Sequence, residues 1–353
     1  MTPKARRIGV LTFHRCINYG SYWQARCLVE GLRERGHDAV LLDHQSRRVN
    51  LAEWRCALRP DPHAPARAYR DEYVAKARKF FAAFAALPLS RPFPLQAPEQ
   101  GEHYDLVMVG SDEVWNLRHP WYGGQGLFYG DGVQAGRLAS YAASFGNQSP
   151  GIDQYWSQQL KRFDAVSVRD RNSQEIVTSA LGETPPLVLD PVLQFAHLIP
   201  RPAAWDRRYA VVYGHGFPDW LVKAVRQWAQ ERHVQLVSVG YDNPWADRRN
   251  IEVGPLDFAE LMGGASAVIT NFFHGCVFAL VNDKPFVTAP SDYRFNKVRD
   301  LARALGAEPH LVSEKTDSTQ YDTLLSAPLE PQIERRIAAL RLVSKAYLDD
   351  VLR

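Results

Sequence analysis

The chain has little cysteine. Its four thiols, Cys16, Cys27, Cys56 and Cys276, form no C-x-x-C pair, and no histidine cluster stands beside them at zinc spacing. This excludes a disulfide framework and a zinc ribbon, and it fits thiols kept reduced in a cytoplasm. Long apolar runs are missing too: no stretch reaches the roughly 20 residues of a membrane span. The opening MTPKARRIGVLTF starts basic, but its apolar run is short and lacks a small-residue cleavage site. It reads as a first strand, not a signal peptide. Charge of one sign is scarce, with 42 Lys and Arg against 39 Asp and Glu leaving +3. So mild a balance argues against nucleic acid as partner and suits an anionic small ligand, with at most peripheral membrane contact. Short-period repeats and low-complexity tracts are absent. So are G-x-G-x-x-G and G-x-x-x-x-G-K-[ST], which leaves nicotinamide and P-loop chemistry without a motif.

What is present is 353 residues, 46% of them hydrophobic. At roughly 100–200 residues per domain this predicts two domains, each long enough to bury its own core. Short apolar runs alternate with amphipathic stretches. Residues 8–13 (IGVLTF), 39–43 (AVLLD), 106–110 (LVMVG), 138–145, 165–168 (AVSV) and 187–190 (LVLD) predict strands. Helices are expected over residues 22–35, closed by Gly36, then 52–87, 155–163 and 174–181. From residue 209 the pattern restarts. YAVVY, VQLVSVG, AVIT (267–270) and 285–288 read as strands, with helices over 220–232, 257–262, 274–281, 293–305 and 331–353. The stretch 194–208, a loop with four prolines in or near it (Pro191, Pro200, Pro202 and Pro218), marks the boundary. It divides residues 1–195, an acceptor-side α/β domain, from 196–353, a donor-side α/β domain whose last helix packs back on the first. This order predicts α/β architecture, two doubly wound Rossmann-like domains facing a cleft.

Ligands of such sheets gather beyond the carboxyl ends of strands. There the sequence places His14-Arg15, Asn18-Tyr19-Gly20, Gly110-Ser111-Asp112, Arg169-Asp170, Gly214-His215-Gly216 and residues 271–275. Gly20 and Ser21 open a helix, which suits an anion or hydroxyl, or a plain turn capped by Asn18 or Ser21. Asp112 is a candidate base, or the cap of the segment after it. Trp115 offers a ring for sugar stacking, or fills a core. His274 begins a helix after a strand, where Gly275 permits close approach and an anion would favour the imidazolium. Lys284, Arg294 and Lys297 add charge nearby, or sit solvated on the surface.

Six motifs in order add a resemblance. They are GVLTFHRCINYGSYWQARCL, GSDEVWN (110–116), YAASFG (141–146), SVRDRNS (167–173), LDPV (189–192) and ITNFFHGCVFALVNDKPFV (269–287). Together they resemble the polysaccharide pyruvyl transferase family over residues 8–305. The resemblance implies a glycosyltransferase-B-like fold. It also implies transfer of a pyruvyl group from phosphoenolpyruvate to a sugar of a polysaccharide or glycan precursor, giving a cyclic ketal. No metal or other cofactor is implied. Carried over by position, His274 serves the donor phosphate or proton transfer, and Asp112 is the base. Arg169, Gly275, Lys284 and Lys297 line the donor side, and His14, Asn18, Gly20 and Trp115 the acceptor side. The partners implied are phosphoenolpyruvate and a glycan or lipid-linked saccharide, at the cytoplasm or the inner membrane face, with a homo-oligomer left open. Four positions depart from the family pattern. Phe272 stands where a serine is usual, Tyr22 and Trp23 replace smaller residues, and Lys297 stands near a usual arginine. The competing readings are a nucleotide-sugar glycosyltransferase of the same fold, a divergent member with another acceptor, and a non-enzymatic binder.

Overall fold

The computed structural model describes residues 5–60, 69–200 and 208–353. In chain order the strands are β1 Arg7–Leu11, β2 Asp38–Leu41, β3 His44–Gln45, β4 Phe93–Pro94, β5 Tyr104–Val109, β6 Ala135–Ser140, β7 Tyr209–Tyr213, β8 Gln235–Val239, β9 Arg248–Asn250, β10 Ala267–Thr270 and β11 Phe286–Thr288. The helices are α1 Tyr19–Glu34, α2 Arg47–Leu58, α3 Arg70–Ala85, α4 Gln154–Leu160, α5 Arg171–Leu181, α6 Pro191–Gln194, α7 Asp219–Arg232, α8 Pro255–Gly264, α9 Phe273–Val281, α10 Asp292–Leu305, α11 Ser318–Ser326 and α12 Pro331–Val351.

Two main parallel sheets result, beside a two-stranded parallel pair, β3-β4. The first runs β2-β1-β5-β6 and the second β11-β10-β7-β8-β9. Parallel strands must have both faces covered, which is why their runs are almost wholly apolar. Leu11, Val107 and Val109 fill the first core, and Val212, Ile269 and Val287 the second. In each sheet the chain starts centrally, builds outward on one side, then crosses to the other. The reversal falls between β1 and β5 in the first sheet and between β7 and β10 in the second. At such a point the two following loops leave in opposite directions and open a crevice.

Compactness divides the chain into residues 1–53, 86–198 and 337–353 on one side, and residues 54–85 and 199–336 on the other. The boundary expected in stretch 194–208 falls at Leu198, although residues 201–207, with Pro202, lie outside the described set. The single break proposed near residue 195 does not capture the segment Trp54–Ala85, which groups with the second unit. The final helix α12 begins in the second unit and ends in the first, from Ile337 on.

Several elements differ from expectation. The long helix of residues 52–87 is two, α2 and α3, with 61–68 outside the described residues. Helix α1 starts at Tyr19 rather than residue 22, because the Asn18 side chain accepts from Ser21 N at 3.1 Å and caps it. Segments 165–168 and 187–190 make isolated parallel bridges rather than strands. Serine hydroxyls take the place of ladder bonds there: Ser140 Oγ donates to Ser167 O, and Ser167 Oγ to Ser140 O, both at 3.0 Å.

Candidate active site

In the first unit the crevice carries Asp112, just past β5, with φ +76°. Aspartate tolerates this left-handed backbone better than most residues. Its carboxylate accepts from Ser21 Oγ at 2.8 Å, from Glu113 N at 2.9 Å and from Arg169 Nη2 at 3.1 Å. Its side chain keeps 12% exposure, so a hydroxyl can reach it. Arg169 bridges onward to Asp190 at 3.0 Å and is itself only 1% exposed. Burial opposes the Arg169 charge, but Asp112 and Asp190 outweigh it and hold the guanidinium above its ordinary pKa. Asp190 in turn caps α6 through Val192 N. Asp170, beside Arg169, caps α5 through Ser173 N and accepts from Ser144 Oγ at 2.5 Å. Burial raises its pKa despite these donors. Two of the sequence motifs are thus stitched by capping chemistry, and Phe145 N donates to Ser173 Oγ at 2.8 Å to complete the seam.

Beside this lies a buried charge cluster that sequence reading missed. Arg15 donates twice to Asp43, at 2.6 and 2.8 Å, and His14 Nε2 meets the same carboxylate at 3.1 Å. Burial raises the Asp43 pKa, but the Arg15 and His14 bonds prevail and hold it well below the usual carboxylate range. His44 contacts Thr12 O at 2.9 Å, and burial pushes its pKa down to about 3.

In the second unit the crevice lies between Gly214-His215 after β7 and Asn271 to His274 after β10. Asn271 Nδ2 donates to His215 O at 2.7 Å, locking the two loops together. Gly214 makes room for it: a side chain there would place Cβ 2.1 Å from Asn271 Oδ1. His274 stands in the first turn of α9, 8% exposed, edge-on to Phe273 at 5.1 Å. The first N–H groups of a helix lack intrahelical partners and carry positive potential, which favours an anion beside them. Gly275 brings α9 close to β10, since a Cβ there would lie 2.0 Å from Thr270 Oγ1. A cavity of about 640 Å³ opens at this edge, lined by Asn271, Ser291, Trp220, Phe295, Arg299 and Arg303. That volume is ordinary for a small-molecule site.

The expected site residues separate accordingly. In the first unit Asp112, Asn18 and Gly20 lie at the β1/β5 crevice, the last two at the start of α1. His14 lies there too, but it is fully buried and engaged with Asp43. It supports the loop and cannot touch an acceptor directly. Trp115 is likewise fully buried, its Nε1 donating to Phe128 O at 2.9 Å, so neither face is open to a sugar. Arg169 offers a donor anion no surface; its geometry is that of a clamp on Asp112. Lys284 follows α9 and precedes β11, at the amino end of the sheet. The nine residues of α9 separate it from His274 by about 13 Å at the helical rise. Parallel topology therefore removes Lys284 from the crevice, and burial lowers its pKa where it stands. Lys297 lies on α10, 5.7 Å from the Tyr293 ring centroid, with α10 starting just past the carboxyl end of β11. Sequence reading placed Ser21 at a helix start and Asp190 within a motif, but not their contacts with Asp112 and Arg169, for which motif position was the only signal. It also missed Lys76 and Tyr241, which come from separate segments and pack beside the second crevice.

Among the described residues no three His, Cys, Asp or Glu side chains are placed to hold a metal, and no helix is long and apolar enough to cross a membrane.

The profile of the polysaccharide pyruvyl transferase family matches residues 18–293, most of the chain. The chain belongs to this family. As a polysaccharide pyruvyl transferase family member it is a transferase of polysaccharide biosynthesis, and membership implies a glycan acceptor. A solved UDP-N-acetylglucosamine 2-epimerase is similar at TM-score 0.55 and 13% identity, covering 99% of this chain and 96% of its own. The UDP-GlcNAc 2-epimerase from Neisseria meningitidis bound to UDP-GlcNAc has TM-score 0.49 and 10% identity, covering 97% and 99%. A glycosyltransferase of avilamycin A biosynthesis has TM-score 0.47 and 12% identity, covering 98% and 96%. At such identities the first likeness speaks to fold alone, which is the glycosyltransferase-B type with two Rossmann-like units. Among curated protein sequences none matches the chain.

Proposed function

We propose that this family member transfers a pyruvyl group from phosphoenolpyruvate to two hydroxyls of a glycan, forming a cyclic ketal. The observation that carries the reading is His274 at the start of α9, in the crevice of the second sheet, beside a helix end suited to an anion.

Chemically, the donor's methylene carbon takes a proton from a general acid, for which His274 is the candidate. The oxocarbenium carbon that results is attacked by one sugar hydroxyl, whose proton passes to a base. Asp112 is the candidate base, its carboxylate oriented by Ser21 and Arg169. The C–O bond to phosphate then breaks, phosphate leaves with its electron pair, and the second hydroxyl closes the ring and loses its proton. Cations beside the donor offset its phosphate and carboxylate charge. Lys297 remains a candidate among them, with Gly275 keeping the α9 backbone close. Asn18 and Gly20 are the acceptor-side candidates.

The test incubates the full chain with phosphoenolpyruvate and a panel of glycans. Phosphate release and a ketal mass on the acceptor are expected, both lost in His274→Ala and Asp112→Ala. Thermal stabilisation by a nucleoside diphosphate and none by phosphoenolpyruvate would overturn the reading in favour of glycosyl transfer.

A further inference from the structure

Phe272 occupies the N-cap of α9, a place usually held by a small residue with a side-chain oxygen, and it makes no capping bond. The residue is 7% exposed, and three other rings pack against its ring. Tyr213, Tyr241 and His215 meet it nearly perpendicular, at 5.0, 5.3 and 5.5 Å between centroids. Over it lies Arg294, its guanidinium carbon 4.4 Å from the ring centroid. Arg294 comes from the first turn of α10 and donates from Nη1 to Ser291 Oγ at 3.1 Å. Among the described residues no carboxylate pairs with it. Both neighbours of the stack line the 640 Å³ cavity: Asn271 precedes Phe272 in the chain, and Ser291 anchors Arg294.

Stacking engages the face of a guanidinium and leaves its in-plane N–H donors available, in a fork that matches a carboxylate or phosphate. A rigid ring beneath restricts where that fork can swing and reduces the rotamer entropy lost when an anion binds. The ring therefore supplies no hydrogen bond of its own, yet it orients a residue that supplies several. We propose that Arg294, held over the Phe272 ring, reads the oxyanion of the donor beside His274, and that Phe272 is its positioning residue. The inference rests on the donor reading above and names a binding residue for it on a different element, α10.

Calorimetry on the full chain decides it, with phosphoenolpyruvate and inorganic phosphate as probes. Arg294→Gln is expected to weaken phosphoenolpyruvate binding at least tenfold. Arg294→Lys should weaken it severalfold, since an ammonium has no fork. Phe272→Leu keeps every charge and should also weaken it severalfold, with the salt dependence of binding unchanged. Lys284→Gln, at the other end of α9, should bind as wild type. Melting curves establish that each variant is folded. Wild-type affinity in folded Arg294→Gln would overturn the inference and leave the donor reading intact. If the wild type binds phosphate through Arg294 but not phosphoenolpyruvate, the donor reading fails and the oxyanion site stands. Binding of neither probe overturns both.

Discussion

Lys76 shows what burial does to one charge. It is 4% exposed on α3, donates to Gly240 O at 2.8 Å and lies 4.4 Å from the Tyr241 ring centroid. Burial pushes its pKa down to about 7. An unfolded lysine keeps its proton to about pH 10.4. Between these values the unfolded chain binds more protons, so this group makes stability rise with pH; below about pH 7 both states are protonated and its cost is constant. Lys76→Met removes that cost. Its stability relative to wild type is expected to be greatest below pH 7 and to shrink by about 1.4 kcal/mol per pH unit towards pH 10. Urea unfolding at stepped pH measures this, and a pH-independent difference would refute it. Glu53 is the counterpart in the first unit: burial pushes its carboxyl up to about 7, against bonds from Cys16 and Ile17 N. Neither group was legible as buried, because each lies on an Arg-rich helical stretch that reads as a solvated face.

At the scale of elements, the approach of α9 to β10 is set by a pair of small groups. Thr270 Oγ1 donates to Tyr213 O at 2.7 Å and accepts from Phe272 N at 3.0 Å, tying β7, β10 and the start of α9 together. Gly275→Ala would drive a methyl into that hydroxyl, and overpacking of this kind costs about 1–3 kcal/mol. Thr270→Ala removes the closest atom, Oγ1, and Cγ2 with it, which relieves part of the clash although its Cβ stays 2.6 Å from the new methyl, and it loses both bonds. The double variant is therefore expected to be less destabilised than the sum of the two singles, a coupling that denaturant titration of the four proteins reads directly. Strict additivity would mean that the two residues do not share this space. The strand and helix here were legible from their apolar runs, and Gly275 from its motif. The reason glycine is needed was not, because Thr270 meets it only once the helix has folded back.

For the whole molecule, the segment Trp54–Ala85 belongs with the unit that resumes at Ile199. Tyr73 on α3 accepts through its hydroxyl from Asp242 N at 3.1 Å, and Lys76 bonds the turn just before it. Helix α3 thus braces the loop after β8. Tyr73→Ala is expected to speed amide exchange in β8 and α8 and leave β1 and β5 protected, as hydrogen-exchange mass spectrometry would resolve. Faster exchange confined to β1 and β5 would contradict this assignment. By itself, the amino-acid order determined two parallel α/β units, the loops at their strand ends, and family membership through six ordered motifs. These are local properties, written in apolar runs and short spacings. Tertiary structure alone decided which charges work together. Lys284 shares a motif with His274 yet ends at the opposite edge of the sheet, while Arg294 arrives from the next helix and settles on Phe272. Arg169 is turned inward onto Asp112 and Asp190. In a parallel sheet, neighbouring loop ends come from strands far apart in sequence, and the burial that fixes each charge exists only after those strands have paired.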